Sequence, residues 1–492
     1  MSDITRLPVL SGGDAKKKAT GENRLRIFAG ELFANAAPLE LSFNLCTRCD
    51  FCFAVLNGRE KEDLGSRATL SHIVNVFRTG GNPHSLADVL LLRKHPIVFS
   101  NAVDPLFPKN LESTRAVLPV LQKLGVPVIF QTRGTDRVKD FAQYLDMLPE
   151  GSVLYSSLVT FDEEVRREVQ RGSPRGEATC EMMAMAAERG FTVVAALNPV
   201  DQDWMGDPAA FLARVDEVAG PGTVAGTWIE PLHLSERQGR ELHSRFPDGM
   251  PAIMTGAVER ATRKPWVLDP YFFEDLFAGV DERGWKRYSY ALPWMNKGRA
   301  DLFDLWPAPF PTHHTLVEAC REASEASGGM PVVVTFSTAM SWMDPAREVL
   351  DLEVTRGDAW YLINQKNNVD QIERKMMPRT LSLEECLRFL WNAPKTGAQA
   401  IYGAYGICAL AGRIVDESGE TAGVDYVWLR EDDNTPLAVW APQRFDADGF
   451  PVYTTDPKDR FRLVEEVEPD CVMLAPFDPD DVEDEGTPAQ AG

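Results

Sequence analysis

The sequence predicts an α/β fold built on a largely parallel β-sheet that is covered by helices. Two observations carry this prediction: short apolar runs occur six times between residues 39 and 235, and amphipathic segments separate them. Apolar strands that alternate with helices are typical of parallel sheets. Six units are fewer than the eight of a closed barrel, so we expect an open or partial (β/α)6 barrel.

The six predicted strands follow one another along the chain. They are 39–45 (LELSFNL), 95–101 (HPIVFSN), 126–132 (VPVIFQT), 152–158 (SVLYSSL), 191–198 (FTVVAALN) and 223–230 (TVAGTWIE). The segment 110–125 is one of the predicted helices between them, because its apolar residues recur at helical spacing. Those residues are Leu111, Val117, Leu118, Leu121 and Leu124.

The second half of the chain predicts an additional α+β C-terminal domain. Residues 331–342 and 424–442 indicate strands, the latter a hairpin around EDDN. Residues 264–314 contain twelve aromatic residues, which favours a packing layer between domains over the alternative of a substrate pocket or lid. The predicted division is an N-terminal extension (1–38), the partial barrel (39–250), an aromatic-rich connecting segment (251–330), the C-terminal domain (331–477) and a disordered acidic tail (478–492).

Composition limits the compartment and the partners. A chain of 492 residues is expected to form two or three domains. The first residues lack the apolar core of a signal peptide and no run of about 20 apolar residues occurs, so we expect a cytoplasmic protein without membrane association. The net charge of −22 opposes approach to a phosphate backbone, and we expect no tight binding to duplex DNA.

Three closely spaced cysteines, Cys46, Cys49 and Cys52, follow the first predicted strand. Zinc would need a fourth ligand from a second close pair, which the sequence does not offer. A ferredoxin-type run would continue to a fourth cysteine followed by proline. Three thiolates that leave one position open fit a [4Fe–4S] cluster whose remaining iron takes a non-protein ligand such as S-adenosylmethionine. Three cysteines packed in an apolar core are the alternative.

At this point the sequence resembles the radical S-adenosylmethionine superfamily, and within it the spore photoproduct lyase-like branch. The resemblance covers about residues 39–235, and Phe51 occupies the aromatic position before the last cysteine. The first gap is one residue shorter than in the usual C-x-x-x-C-x-x-C loop. Further similar segments are VFSNAVDPLFPKNLESTR, VIFQTRG, LYSSLVT and AALNPV. The fold implied is a radical SAM partial barrel, and the wide spacing of the remaining cysteines favours a single cluster.

The resemblance also implies roles for polar residues at the strand ends. Arg133 replaces a lysine and would neutralise the carboxylate of the cosubstrate with its planar fork of donors. The amino group of the cosubstrate and the strand-end polar ring are assigned to Ser100, Asn101 and Asp104 as candidates. The ribose hydroxyls would be bound by Ser156 and Ser157. The alternatives are a surface cation for Arg133, and turn or capping roles for the others.

The implied reaction is reductive cleavage of S-adenosylmethionine to a 5′-deoxyadenosyl radical that abstracts hydrogen from a small-molecule or protein substrate. A low-potential donor such as flavodoxin or ferredoxin would supply the electron. Tyr402, Tyr405 and Cys408 are candidate hydrogen-atom donors, although tight packing of small residues also explains their segment.

Three other functions stay open. They are an iron–sulfur electron-transfer or binding protein that does not cleave the cosubstrate, a nucleic-acid-modifying radical enzyme, and a zinc-stabilised binding module. In photoproduct lyases a cysteine near the second strand returns a hydrogen atom, whereas VFSNAVDP contains no cysteine. We therefore expect no repair of DNA photolesions.

Overall fold

The computed structural model describes most of the first 288 residues and short stretches beyond them. The described ranges are 25–27, 39–41, 46, 48–56, 66–83, 85–99, 103–232, 234, 236–263, 270–288 and separate stretches between 319 and 478. Every structural statement below concerns these residues. The chain divides into two compact units, one formed by 1–28, 37–307 and 446–455 and the other by 29–36, 308–445 and 456–492.

The first unit contains an eight-stranded sheet in which the strands lie in chain order. The strands are β1 (Leu25–Ile27), β2 (Leu39–Leu41), β3 (Ile97–Phe99), β4 (Val128–Thr132), β5 (Val153–Ser157), β6 (Thr192–Val200), β7 (Gly226–Pro231) and β8 (Lys286–Tyr288). Strands β2 to β8 are parallel, and β1 pairs antiparallel with β2. The six predicted strands are thus confirmed, but the number of parallel strands is seven because β8 extends the sheet beyond residue 250.

Helices connect the strands. Those of the first unit are α1 (Phe53–Leu56), α2 (Ser66–Thr79), α3 (Leu86–Leu92), α4 (Leu111–Leu124), α5 (Val138–Leu145), α6 (Glu163–Val169), α7 (Gly176–Glu188), α8 (Gln202–Met205), α9 (Pro208–Ala219), α10 (Glu236–Ser244), α11 (Ala252–Arg263) and α12 (Pro270–Glu282). The predicted helix 110–125 is α4, which buries Val117, Leu118 and Leu121 and ends at Gly125 with φ of 65°.

The two faces of the sheet differ in exposure. Alternation along the strands places Gln131, Ser157 and Glu230 on one face, and all three are partly exposed. The opposite face of β4 and β5 contains Phe130, Thr132, Leu154 and Ser156, which are all buried. One face of the sheet therefore admits solvent near the carboxyl ends of the strands.

The second unit contains short strands and a helix. They are β9 (Val332–Val333), α13 (Phe336–Met343), β10 (Glu353–Thr355), β11 (Thr380–Ser382), β12 (Arg413–Val415), β13 (Thr421–Val424), β14 (Tyr426–Leu429), β15 (Pro436–Trp440), β16 (Arg444–Phe445), β18 (Phe461–Arg462) and β19 (Val472–Met473), while β17 (Pro451–Val452) belongs to the first unit. The predicted hairpin is confirmed, because β14 and β15 pair antiparallel.

The strand predicted over 331–342 is wrong for most of its length, because only Val332–Val333 are extended and Phe336–Met343 are helical. An apolar run of this length has no periodicity that separates a strand from a buried helix. Most of the aromatic-rich segment and residues 479–492 of the tail lie outside the described residues. None of the described helices is long and apolar enough to cross a membrane.

Candidate functional site

The cysteine loop, residues 46–52, lies at the carboxyl edge of the parallel sheet. Cys46 and Cys49 are buried and Cys52 is partly exposed, and none of the three forms a disulfide bond. The backbone N–H of Asp104, which follows β3, donates a hydrogen bond to Cys46 Sγ at 3.4 Å. The loop that follows one strand is thereby attached to the loop that follows the next.

One side of the cysteine loop packs on a cluster of apolar side chains. Phe51 packs on Trp204 with ring centroids 5.2 Å apart, and both side chains are buried. Cys49 belongs to the same core cluster, and Cys52 packs against it. The remaining members of this cluster come from α1, α6, α10, α11 and the segments after β5 and β7. They are Leu56, Val159, Val165, Val169, Leu232, Leu234, Leu242, Met254, Ala257, Val258 and Ala261.

Arg48 forms an inner anchor for the loop. Its Nη1 donates to Asp104 Oδ2 and to the carbonyl oxygen of Gly134, both at 2.7 Å, and its Nη2 donates to the carbonyl oxygen of Leu106 at 3.0 Å. The side chains of Arg48 and Asp104 are only 8 % and 5 % exposed. Gly134 has φ of 90°, a left-handed conformation that glycine adopts readily.

Asp104 is the centre of this inner anchor. In addition to Arg48, its carboxylate accepts hydrogen bonds from Thr132 Oγ1 at 2.9 Å, the Arg133 N–H at 3.0 Å and the Leu106 N–H at 2.8 Å. The two oxygens thus join the loops after β2, β3 and β4. Asp104 was predicted to belong to a ring of polar residues at the strand ends. In the structure, its carboxylate accepts hydrogen bonds from donors of the protein itself.

Residues 169–173 form an outer anchor on the other side of the loop. The Asp50 N–H donates to the carbonyl oxygen of Val169 at 3.2 Å, and the Gly172 N–H donates to that of Arg48 at 3.3 Å. A Cβ on Gly172 would lie 3.2 Å from the Cα of Arg48, so the close approach of the two backbones favours glycine. Ser173 Oγ lies 3.7 Å from Cys49 Sγ.

Two of the three thiols, Cys46 and Cys49, are difficult to ionise in the metal-free chain. Burial raises the pKa of Cys46 to about 11, and the Asp104 carboxylate and Cys49 add to this, whereas backbone N–H groups of Asp104 and Arg48 oppose it. Burial also raises the pKa of Cys49, although the positive charges of Arg133 and Arg48 and the hydrogen bond to Ser173 lower it. A bound metal ion would remove this cost because it deprotonates its thiol ligands.

The chemistry of the loop fits a thiolate-ligated metal group. Cys49 is near the cations of Arg133 and Arg48, and Arg48 Nε is a buried donor that has no hydrogen-bond partner among the described residues. Cations and N–H donors next to sulfur are the features that stabilise an anionic iron–sulfur cluster. Within the described ranges, no three His, Cys, Asp or Glu side chains already converge as a metal site.

Arg133 lies beside the cysteine loop at the end of β4. Its guanidinium carbon is 5.6 Å from the centroid of the Phe51 ring. Its Nη1 donates to Gln170 Oε1 at 3.0 Å, and its Nη2 donates to the carbonyl oxygen of Asn198 at 3.3 Å. A guanidinium has five N–H donors, so several remain for an anionic ligand.

The other predicted cosubstrate residues have different positions. Ser157 lies on the partly exposed face of the sheet, whereas Ser156 lies on the buried face and its Oγ has no partner among the described residues. Ser100 and Asn101 lie outside the described residues. The same is true of the three candidate hydrogen-atom donors Tyr402, Tyr405 and Cys408.

The partly exposed face also contains an aromatic and polar group that the sequence analysis did not single out. Tyr155 is buried and packs edge-on against Trp228 at 6.0 Å, and its hydroxyl accepts a hydrogen bond from Asn198 Nδ2 at 3.1 Å. Burial raises the pKa of Tyr155 well above its usual value, and Glu230 adds to this while Arg133 opposes it. The hydroxyl therefore stays protonated at neutral pH.

The chain has little similarity to known proteins. No protein-family model and no curated protein matches the chain. Among solved structures, the crystal structure of Streptococcus suis SuiB bound to S-adenosylmethionine is similar, with a TM-score of 0.26 and 13 % sequence identity. The similarity covers 56 % of this chain and 65 % of that one, so the chain spans less than two thirds of that protein's length.

Proposed function

We propose that the chain is a radical S-adenosylmethionine enzyme with one [4Fe–4S] cluster held by Cys46, Cys49 and Cys52. The observation that carries this proposal is the position of the three thiols at the carboxyl edge of a parallel sheet, with Arg48 and Arg133 beside them. Ligands of parallel α/β sheets bind at this edge. When bound, the cluster supplies the electron that cleaves S-adenosylmethionine to methionine and a 5′-deoxyadenosyl radical.

The protein itself contributes ligands, charge and shielding. Cys49 and Phe51 lie over an apolar core that excludes water from one side of the loop. Arg133 is assigned to the carboxylate of the cosubstrate, because it lies next to Cys49 and is only partly covered. Ser157 remains a candidate for the ribose hydroxyls on the exposed face, and the electron would come from flavodoxin or ferredoxin.

The first experiment tests the metal group. Anaerobically reconstituted protein should hold about four irons, with the brown absorption of an iron–sulfur cluster, and Cys49→Ala should lose them. Cys180→Ala is the matched control, because Cys180 is a buried thiol outside the loop. Full iron retention in Cys49→Ala would contradict the assignment of the three cysteines as cluster ligands. A colourless protein that contains zinc would indicate a zinc-stabilised module.

The second experiment tests turnover. With a strong reductant, the reconstituted protein should convert S-adenosylmethionine to methionine and 5′-deoxyadenosine even without substrate. Arg133→Ala should weaken cosubstrate binding by about 10- to 100-fold, as expected for a lost charge-assisted pair. The control is Arg175→Ala, since Arg175 is 61 % exposed. Iron binding without cleavage would instead favour an electron-transfer protein.

The substrate is proposed to be a small molecule or a protein rather than duplex DNA. The net charge of −22 opposes binding to a phosphate backbone. Incubation with an ultraviolet-irradiated oligonucleotide should therefore leave its lesions intact, and an anisotropy titration at moderate salt should show no tight binding. Restored thymines would overturn this preference and place the hydrogen donor outside the second strand.

A further inference from the structure

The outer anchor contacts both halves of the candidate site. Ser173 and Gln170 are buried side chains, 3 % and 4 % exposed, in the turn between α6 and α7. Ser173 Oγ lies 3.7 Å from Cys49 Sγ, and Gln170 Oε1 accepts the hydrogen bond from Arg133 Nη1. The Ser173 N–H also donates to the carbonyl oxygen of Gln170 at 2.8 Å, so one tight turn presents both side chains.

A hydrogen bond from Arg166, in the helix that precedes the turn, helps to fix the position of the turn. Arg166 Nη1 donates to the carbonyl oxygen of Ser173 at 2.7 Å, and two nitrogens of Arg166 donate to the carboxylate of Glu163 at 2.6 and 2.8 Å. The hydrogen bond from Arg166 holds the pKa of Glu163 at about 2, so the pair stays charged at neutral pH. The turn thus has support of its own in addition to its contacts with the cysteine loop.

We propose that Ser173 and Gln170 are positioning residues with separate effects, one on the metal group and one on the cosubstrate; this inference rests on the proposed function. A thiolate that ligates a metal has no proton, so the Ser173 hydroxyl must be the donor in its contact with Cys49. Hydrogen bonds to a ligand sulfur favour the more negative, reduced state of a cluster and raise its reduction potential. Ser173 therefore adjusts the potential at which the electron enters.

Gln170 acts through Arg133. An amide oxygen that accepts from one nitrogen of the guanidinium fixes the plane of the fork, while its neutral charge leaves the cation available for a carboxylate. A glutamate at this position would compete with the cosubstrate for the same charge. Gln170 therefore affects cosubstrate affinity and leaves the potential unchanged.

The test for Ser173 is a redox titration of reconstituted protein followed by absorption or electron paramagnetic resonance. Ser173→Ala should shift the reduction potential to a more negative value at unchanged iron content, and Ser173→Thr should restore it. Ser152→Ala is the control, because Ser152 is a buried serine whose hydroxyl accepts from the Val128 N–H instead. If the alanine variant does not fold, Ser173→Val and Ser173→Thr form a size-matched pair that should differ in potential.

The test for Gln170 is the dissociation constant of S-adenosylmethionine, measured by equilibrium dialysis with the cluster present. Gln170→Ala should weaken binding by about tenfold with the potential unchanged, and Gln170→Glu should weaken binding further. The inference would be overturned by equal potentials in Ser173→Ala and wild type, by equal affinities in the glutamine variants and wild type, or by parallel changes of both quantities in Ser173→Ala or Gln170→Ala. Wild-type protein that holds no iron would instead overturn the proposed function.

Discussion

The inner and outer anchors hold the same cysteine loop by different interactions. The inner anchor is a buried ion pair, Arg48 with Asp104, surrounded by further donors. The outer anchor is mainly backbone hydrogen bonding between residues 48–50 and 169–172, with an ion pair between Arg171 and Asp50 at 3.7 Å near the surface. A buried pair is costly to break because the remaining charge is left in a poorly solvated place, whereas a surface pair is replaced by water.

The largest effect is expected from breaking the inner anchor at Arg48. Arg48→Met should lower the free energy of unfolding by about 3–5 kcal/mol, because the Asp104 carboxylate loses its buried cation. Urea denaturation followed by tryptophan fluorescence would measure this as a lower midpoint. The double variant Arg48→Met with Asp104→Leu should recover part of the loss. A single variant as stable as wild type would show that the pair contributes nothing.

A second large effect concerns thiol reactivity in the metal-free protein. The pKa of Cys46 is raised from 9.0 to about 11. Below pH 9, the fraction of Cys46 present as thiolate should therefore be about 100-fold lower than for a cysteine whose pKa is 9.0. Alkylation of Cys46 should therefore be slow at pH 7.5 and accelerate up to about pH 11, whereas partly exposed Cys52 should react first. Peptide mapping after timed iodoacetamide treatment would measure both rates. Equal alkylation rates for Cys46 and Cys52 at pH 7.5 would contradict the burial of Cys46.

An intermediate effect is expected from Thr132, which joins Asp104 to the end of β4. Its hydroxyl donates to Asp104 Oδ1 and accepts from the Gly134 N–H at 2.8 Å. Thr132→Val removes both bonds without changing size and should cost about 2 kcal/mol of unfolding free energy. Thr132→Ser keeps the hydroxyl and should lie close to wild type. If the valine and serine variants unfold at the same urea concentration, the hydroxyl does not hold the anchor together.

The smallest effect is expected at the surface of the outer anchor. Arg171 is 67 % exposed in its pair with Asp50, so Arg171→Ala should cost less than about 1 kcal/mol, and added salt should reduce the difference. The same urea experiment at low and high salt would measure it. A loss as large as that of Arg48→Met would mean that both anchors depend on charge and would remove the contrast between them.

The sequence predicted the central strands better than the edges of the sheet. Strands β3 to β7 are apolar runs bounded by turns and helical patterns, and burial on both faces requires such runs. In contrast, Leu25–Ile27 and Lys286–Tyr288 contain three residues each and include charged side chains. Edge strands have only one neighbour and need little apolar character, so no pattern separates them from loops.

The three cysteines were evident from their spacing, and Arg133 was named from the resemblance of its segment, VIFQTRG, to a known family. Arg48 is also visible in the motif, between Cys46 and Cys49, but its partners are 56 and 86 residues away. Ser173 lies 124 residues from Cys49 and has no motif of its own. Only the packing of α6 and its following turn against the loop brings these side chains together.

By itself, therefore, the sequence determined the α/β class, the order of the central strands and the group of thiols after the first of them. These features depend on local periodicity and on residues a few positions apart. Tertiary structure alone decided that Asp104 has internal donors for both oxygens, that Ser157 and not Ser156 lies on the partly exposed face of the sheet, and that residues 169–173 contact both Cys49 and Arg133. The physical reason is that hydrogen bonds and burial depend on distances between segments far apart in the chain, which periodicity does not encode.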